Sequence, residues 1–329
     1  MNLQTSPVLC EGSERENICW SGSSVSKIRD SLEGIQGVIP FFSSQPFGTP
    51  HKKGYATNPN LYEIIREPLV DVEKPVPVGV VSGRYELIQH HTVLKSAADA
   101  VEQAGIQLKD TELEVWITQF AERMALNILF SEGEEYSMNV GDSGDSMRLR
   151  LQCFNSVDGS LKFMAFLGWF RFICSNGLIM TISKVNVKKR HDSFLKIDDL
   201  KDVIAVGLTS IKKEKRQYEL WRNTNVEMDI IRKWVDGPLK EKWGVRLAAR
   251  AFHIVNTARD AEFANPFEKG KPSEKTLISG SRVAGISDET VNVFTISQIL
   301  SWLAKERRDI QEQVACMRDI PILLEILQK

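Results

Sequence analysis

The sequence predicts an α+β protein: an antiparallel sheet with one early helix, followed by a mostly helical C-terminal half. Three observations lead there. LRLQCFN (149–155) alternates Leu149, Leu151 and Cys153 against Arg150, Gln152 and Phe154, a period of two that suits a strand. Asp158-Gly159 and Asn176-Gly177 punctuate the runs on either side of LKFMAFLGWFRFI, as hairpin turns do. Beyond about residue 195 the apolar spacing changes to roughly 3.6, the helical repeat.

The elements follow in order. Residues 1–60 are rich in Ser, Gly, Pro and charge, with brief apolar runs such as VIPFF (38–42), and read as a partly ordered N-terminal arm or cap. VPVGVVSGRYELI (76–88) reads as a strand interrupted at Ser82-Gly83. In the next stretch Val93, Leu94, Ala97, Ala98, Val101 and Ala104 recur at helical spacing, and Gly105 fits a C-terminal stop. ELEVWITQF and RMALNILF alternate as strands, and the loop SEGEEYSMNVGDSGDS leads into the hairpin region. LKFMAFLGWFRFI is apolar at both parities, as a central strand covered on both faces is. Helical patterns then run through 198–222, 225–236, 239–257 and 292–328, broken by Gly237-Pro238 and by the polar stretch 258–290. The expected organisation is an arm (1–60), an α+β sheet core (61–194) and a helical region (195–329).

Composition excludes several classes of protein. The 329 residues are 42% hydrophobic and 26% charged with a formal net charge of −1, an ordinary globular balance without the basic excess of a general polyanion binder. The uncharged run between Lys162 and Arg171 is eight residues, far short of the roughly 20 that a spanning helix needs. The N-terminus lacks the apolar core of a secretory signal. Cysteines 10, 19, 153, 174 and 316 are odd in number and scattered, without zinc spacing, which points to a reducing, cytoplasmic setting and no structural metal. Neither GxGxxG nor GxxxxGK[ST] occurs, so no nucleotide cofactor is indicated.

Catalytic signals are weak. Cys174, with His191 as base and Asn176 as orienter, is one arrangement for a thiol nucleophile; a small hydrophobe ending a buried strand before a turn is the other reading. GDSGDS (141–146) resembles a serine-protease nucleophile loop without the surrounding sequence, and its carboxylates lack calcium-loop spacing. Adjacent His90 and His91 point apart in any regular structure and make no metal pair.

The charges in SKVNVKKRH (183–191) are more informative. In a strand, Lys184, Asn186, Lys188 and Arg190 share one face while Val185 and Val187 take the other. Residues two apart are spaced about 6.6–6.8 Å, which matches phosphates about 3.4 Å apart in a B-form strand once that strand is stretched about twofold. Trp169, with Phe172, would supply a stacking surface if exposed, and Arg171 and Lys189 complete the candidate nucleic-acid-binding set. The same lysines would also protect a sheet edge from aggregation. Further cations fall in IKKEKR (211–216) and at Arg246, Arg250 and His253 on one helix face.

RYELIQHHTVL (84–94), NSVDGS (155–160), RFICSNGL (171–178) and Arg190-His191 occur in the order found in one family, catalogued as domain of unknown function number nine hundred and thirty-two. The resemblance spans roughly 75–325, and Arg171, Cys174 and Asn176 form its most specific part. Val157 stands where the family often has histidine, and Gly177 where threonine is common. The resemblance implies carriage by phages, plasmids and integrated elements of bacteria. The element order is also similar to that of phage annealing proteins and the related eukaryotic recombination mediator, which share a curved sheet packed on a helix and assemble into rings. On that analogy the expected function is single-stranded nucleic-acid binding, with strand annealing in recombination, by a homo-oligomer without cofactor. Two alternatives are an element-encoded protein that binds a host or defence protein, with the helical half and its apolar tail IPILLEILQK (320–329) as docking surface or oligomer interface, and a cysteine- or metal-dependent nucleic-acid hydrolase.

Overall fold

A computed structural model describes residues 25–131, 133, 135–140, 146–171, 178–180, 186–189, 199–263, 277–286, 291–307 and 310–329. Its centre is an eight-stranded antiparallel sheet. The strands are β1 (Val25–Arg29), β5 (Glu112–Thr118), β6 (Arg123–Leu129), β7 (Ser137–Asn139), β8 (Ser146–Ser156), β9 (Phe163–Arg171), β10 (Leu178–Met180) and β11 (Asn186–Lys189). The order is β1-β5-β6-β8-β9-β10, with β7 pairing β8 and β11 pairing β9. The short helix α1 (Leu32–Val38) leads into a smaller three-stranded sheet of β2 (Phe42–His51), β3 (Gly54–Arg66) and β4 (Val76–Ser82).

Both faces of the large sheet are covered. On the inner face, Val115, Leu126, Leu151, Cys153, Ala165 and Trp169 meet α2 (His90–Gln103) and α3 (Asp199–Asn223) in one continuous core. Gly207 of α3 allows the close approach to β9: a Cβ there would lie 2.5 Å from Leu167 Cδ2. On the outer face, Trp116, Ala125, Phe154, Met164 and Phe166 form a second cluster with Ile310 and Val314 of α8 (Ile310–Leu327). All nine residues of β9 are buried, as expected of a central strand whose residues are apolar at both parities.

The helical half contains α4 (Met228–Trp234), a widened π turn (Val235–Leu239), α5 (Lys240–Trp243), α6 (Val245–Thr257) and α7 (Val293–Lys305) besides α3 and α8. Gly237-Pro238, expected to break the helix, lies inside the π turn. Such a turn absorbs the missing proline N–H by widening rather than stopping. The helix ends instead at Gly244, with φ 84°. The polar stretch 258–290 contains a hairpin that the spacing did not reveal, β12 (Arg259–Phe263) with β13 (Leu277–Arg282).

The N-terminal region also departs from the expected boundaries. β1 pairs with β5 as a border strand of the main sheet, and β3 runs across the expected boundary at residue 60. The burial of β1 is only partial, so few apolar positions mark it in the sequence. No described helix is long and apolar enough to cross a membrane.

Candidate nucleic-acid interface

The described part of the predicted cation row, Asn186 to Lys189, lies on β11, which pairs with β9 in the main sheet. Leu178, Ile179 and Met180 pair antiparallel with Arg171, Phe170 and Trp169, while the predicted turn at Asn176-Gly177 lies outside the described residues. Asn186, Val187, Lys188 and Lys189 pair with Phe166, Ala165, Met164 and Phe163. From Met180 to Asn186 the border strand advances six residues while β9 advances three, Trp169 to Phe166. The two segments are therefore out of simple register, and an alternation counted through from Met180 does not carry over. Lys188 and Lys189 hold consecutive border positions; Lys184 and Arg190 lie outside the described residues, as do Cys174, Asn176 and His191.

Two members of the predicted set are interior residues. Trp169 is completely buried, donates from Nε1 to Glu214 Oε2 at 3.0 Å and meets Tyr218 edge-on. A base-stacking platform needs an open ring face, so the expectation of a stacking Trp169 is corrected. It failed because the strand is covered on both sides, so neither parity is exposed. Arg171 is likewise buried, with Nη1 donating to Gln298 Oε1 at 3.0 Å and its guanidinium over the Phe294 ring. It ties β9 to α7 and is closed to phosphate.

The other predicted cations divide. Lys212, Lys213 and Arg216 are exposed on α3, whereas Lys215 turns inward, donating to Ser137 O at 2.7 Å and lying over Trp169. Arg250 is spent internally: it makes a two-pronged contact with Asp260 and a further 2.6 Å contact with Glu306. Arg246 lies over Phe263, and His253 reaches Ser279. That helix face therefore packs against the β12–β13 hairpin. Among the described residues no group of three His, Cys, Asp or Glu could hold a metal ion.

Two of the strings that carry the resemblance, RYELIQHH and NSVDGS, meet in space. Asn155 Nδ2 donates to Ile88 O and to His90 Nδ1, both at 2.9 Å, and His90 Nε2 lies 2.8 Å from Ala121 O. This pattern requires the neutral imidazole with its proton on Nε2. His91 points the other way, to Gln36 O, stacked on Phe41. Tyr85 OH donates to Ser156 O at 2.8 Å, and burial, with Asp158 nearby, pushes that phenol well above its usual range. A Cβ on Gly79 would come within 2.8 Å of Asp158 Cα, so only glycine lets β4 approach the β8–β9 loop this closely. RYELIQHH and NSVDGS thus form an interlocking joint between the two sheets and α2.

The outer face carries a second polar assembly. Glu114 receives Lys27 Nζ at 2.8 Å, Arg29 Nη2 at 3.0 Å, Trp116 Nε1 at 2.5 Å and Asn127 Nδ2 at 3.3 Å, and Gln152 extends the chain to Asn127. Burial alone would push the Glu114 carboxyl up, but the bonds from Lys27, Trp116 and Arg29 outweigh it and hold the carboxyl below its ordinary range. The assembly ties β1 to the sheet.

The family model described as a domain of unknown function, DUF932, matches residues 77–282, well over half the chain. The chain belongs to the DUF932 family. No curated protein and no solved structure matches it. The DUF932 region runs from β4 to β13, so β1–β3, α1, α7 and α8 lie outside the match, although α7 and α8 share the same core.

Sequence reasoning passed over one exposed feature in the segment before the DUF932 region. The β2–β3 hairpin carries Lys52 and Lys53 at its tip, and residues 51–60 are all exposed. A signal was present: residues 34–62 contain no Asp or Glu, although the whole chain has 43.

Proposed function

We propose that this protein binds single-stranded nucleic acid along the border of its main sheet, and promotes strand annealing for a bacterial mobile element. The observation that supports this reading is the placement of Lys188 and Lys189 on β11, the border strand beside β9. A strand that follows such a border would be held by its phosphates, with Lys184 and Arg190 adding charge to the same stretch of sequence. Binding would be electrostatic and would need no covalent chemistry. Trp169 and Arg171 act beneath this surface by fixing β9 to α3 and α7.

The test is fluorescence anisotropy with a labelled 30-nucleotide strand, titrated over a range of salt. Binding should weaken steeply with salt, with a log–log slope of about −0.7 for each phosphate neutralised on a single strand. Reversing Lys184, Lys188 and Arg190 together to glutamate should make that slope shallower by about 2 while leaving the fold intact. Equal affinity and equal slope in the triple variant would remove the border strand from consideration.

A second reading rests on α8. Ile320, Leu323, Leu324 and Leu327 are buried in the core, while Ile322 and Ile326 remain exposed one turn apart. These two side chains would form a small contact for another protein. A stoichiometric partner held by the wild type and lost by I322D/I326D, with nucleic-acid affinity unchanged, would select it.

A further inference from the structure

We infer that the β2–β3 hairpin is a duplex-binding arm that enters the major groove as a two-stranded ribbon. β4 pairs with β3 only from Leu61 to Arg66, so the outer part of the hairpin has no third strand. There Gly48, Thr49, Pro50 and His51 pair with Thr57, Ala56, Tyr55 and Gly54, with Lys52 and Lys53 at the turn. From Pro46 to His51 the ribbon advances five residues, about 17 Å at strand rise. A two-stranded hairpin free in water is marginal by itself, so an arm of this length fits a role in contact with a partner.

The chemistry of the arm selects a polyanion. Its tip is cationic, and neither Lys52 nor Lys53 makes an ion pair among the described residues. No carboxylate occurs anywhere from residue 34 to 62 to repel phosphate. Ser44, Thr49, Thr57, Asn58 and Asn60 are exposed and supply hydroxyl and amide donors of the kind that bind phosphate oxygens.

Geometry then separates the possible occupants. A second copy of the chain would dock by pairing strands, but Pro46 and Pro50 remove two N–H groups that β2 could offer. Stacking of successive bases would need several ring faces in a row, whereas the outer ribbon offers the single tyrosine ring of Tyr55, whose hydroxyl donates to Gly48 O at 2.9 Å. A duplex major groove, about 12 Å wide, admits a two-stranded ribbon. One face of this ribbon is low, with Thr49, His51, Gly54 and Ala56 in opposed positions, and it can approach base edges while the tip lysines hold the backbone.

The inference does not depend on the border strand, and one experiment distinguishes the two. Anisotropy is measured on the full chain with a 20-base-pair duplex and with a 20-nucleotide strand, at low salt. K52E/K53E should lower duplex affinity at least tenfold, leave single-strand affinity within twofold, and leave the thermal midpoint and solution mass unchanged. K52Q/K53Q should lower duplex affinity less than the reversal does. Unchanged duplex affinity, an equal loss on both substrates, or a fall in solution mass would overturn the inference, the last by showing that the arm joins copies. Wild-type binding to single strands but not to duplex would sink the arm alone; binding to neither would sink the border-strand reading as well.

Discussion

Replacing Asn155 with leucine should cost about 3 kcal/mol of folding stability without touching nucleic-acid binding. Asn155 and His90 are both fully buried, and one amide group serves two acceptors, Ile88 O and His90 Nδ1. Leucine is similar in size, so little cavity forms, but both acceptors lose their donor. Each stranded buried group costs about 1–3 kcal/mol, or about 2–6 together. Asn155 Oδ1 has no partner among the described residues, and removing it returns about 1–2 kcal/mol. Urea unfolding followed by tryptophan fluorescence reads the change as a lower midpoint at constant slope. His90→Leu should cost a similar amount, because it strands Ala121 O. The double variant should cost less than the two singles added, by about 1–2 kcal/mol, since the shared bond is lost only once. A loss under about 0.5 kcal/mol in Asn155→Leu, or strict additivity, would refute the joint. So would a stable Asn155→Leu protein that no longer binds oligonucleotides, because the motif would then be functional rather than structural.

The remaining expectations test the close approach, the buried carboxylate of Glu214 and the partly buried one of Glu114. Gly79→Ala should destabilise by about 1–3 kcal/mol, because its Cβ would meet Asp158 backbone at 2.8 Å; a melt within experimental error of wild type would show that β4 and the loop give way freely. Burial raises the Glu214 carboxyl above its ordinary value of 4.5, and the bonds from Ser210 and Trp169 offset only part of that. The folded state therefore holds this proton more tightly, and the stabilisation is present below the ordinary value and lost as pH rises through the raised one. Glu214→Gln should accordingly gain on wild type between pH 5 and pH 8 in chemical melts, and an equal difference at both would refute the assignment. Glu114 has the opposite sign: its lowered value contributes stability above the ordinary range that disappears in acid. Glu114→Gln should thus be destabilised at pH 7 and converge with wild type as pH falls through the folded value, and a gap that persists in acid would count against the Lys27–Arg29 clamp.

Much of the sheet was legible because its physics is local. ELEVWITQF and RMALNILF carry strand patterns and became β5 and β6, while the even apolar coverage of 163–171 foretold a strand buried on both faces. The Asp158-Gly159 turn was placed correctly but read too short. The connection spans 157–162, with Val157 fully buried and Asp158 Oδ1 accepting from the backbone and hydroxyl of Ser160. What the sequence left hidden depends on distant partners. The direction in which Trp169 faces mattered less than the layers lying over each side, and those come from α3 and α8, more than 30 and 130 residues downstream. The register of β11 on β9, Asn186 opposite Phe166, is likewise fixed by pairing and not by local alternation. For the hairpin arm the difficulty was reversed. A search for clustered positive charge finds only Lys52 and Lys53 there, whereas the physical signal is the missing negative charge over residues 34–62. Near a polyanion each absent carboxylate removes a repulsion, so no acid within residues 34–62 offsets the attraction of Lys52 and Lys53, whereas in IKKEKR one of the four cations, Lys215, is turned inward to Ser137 O.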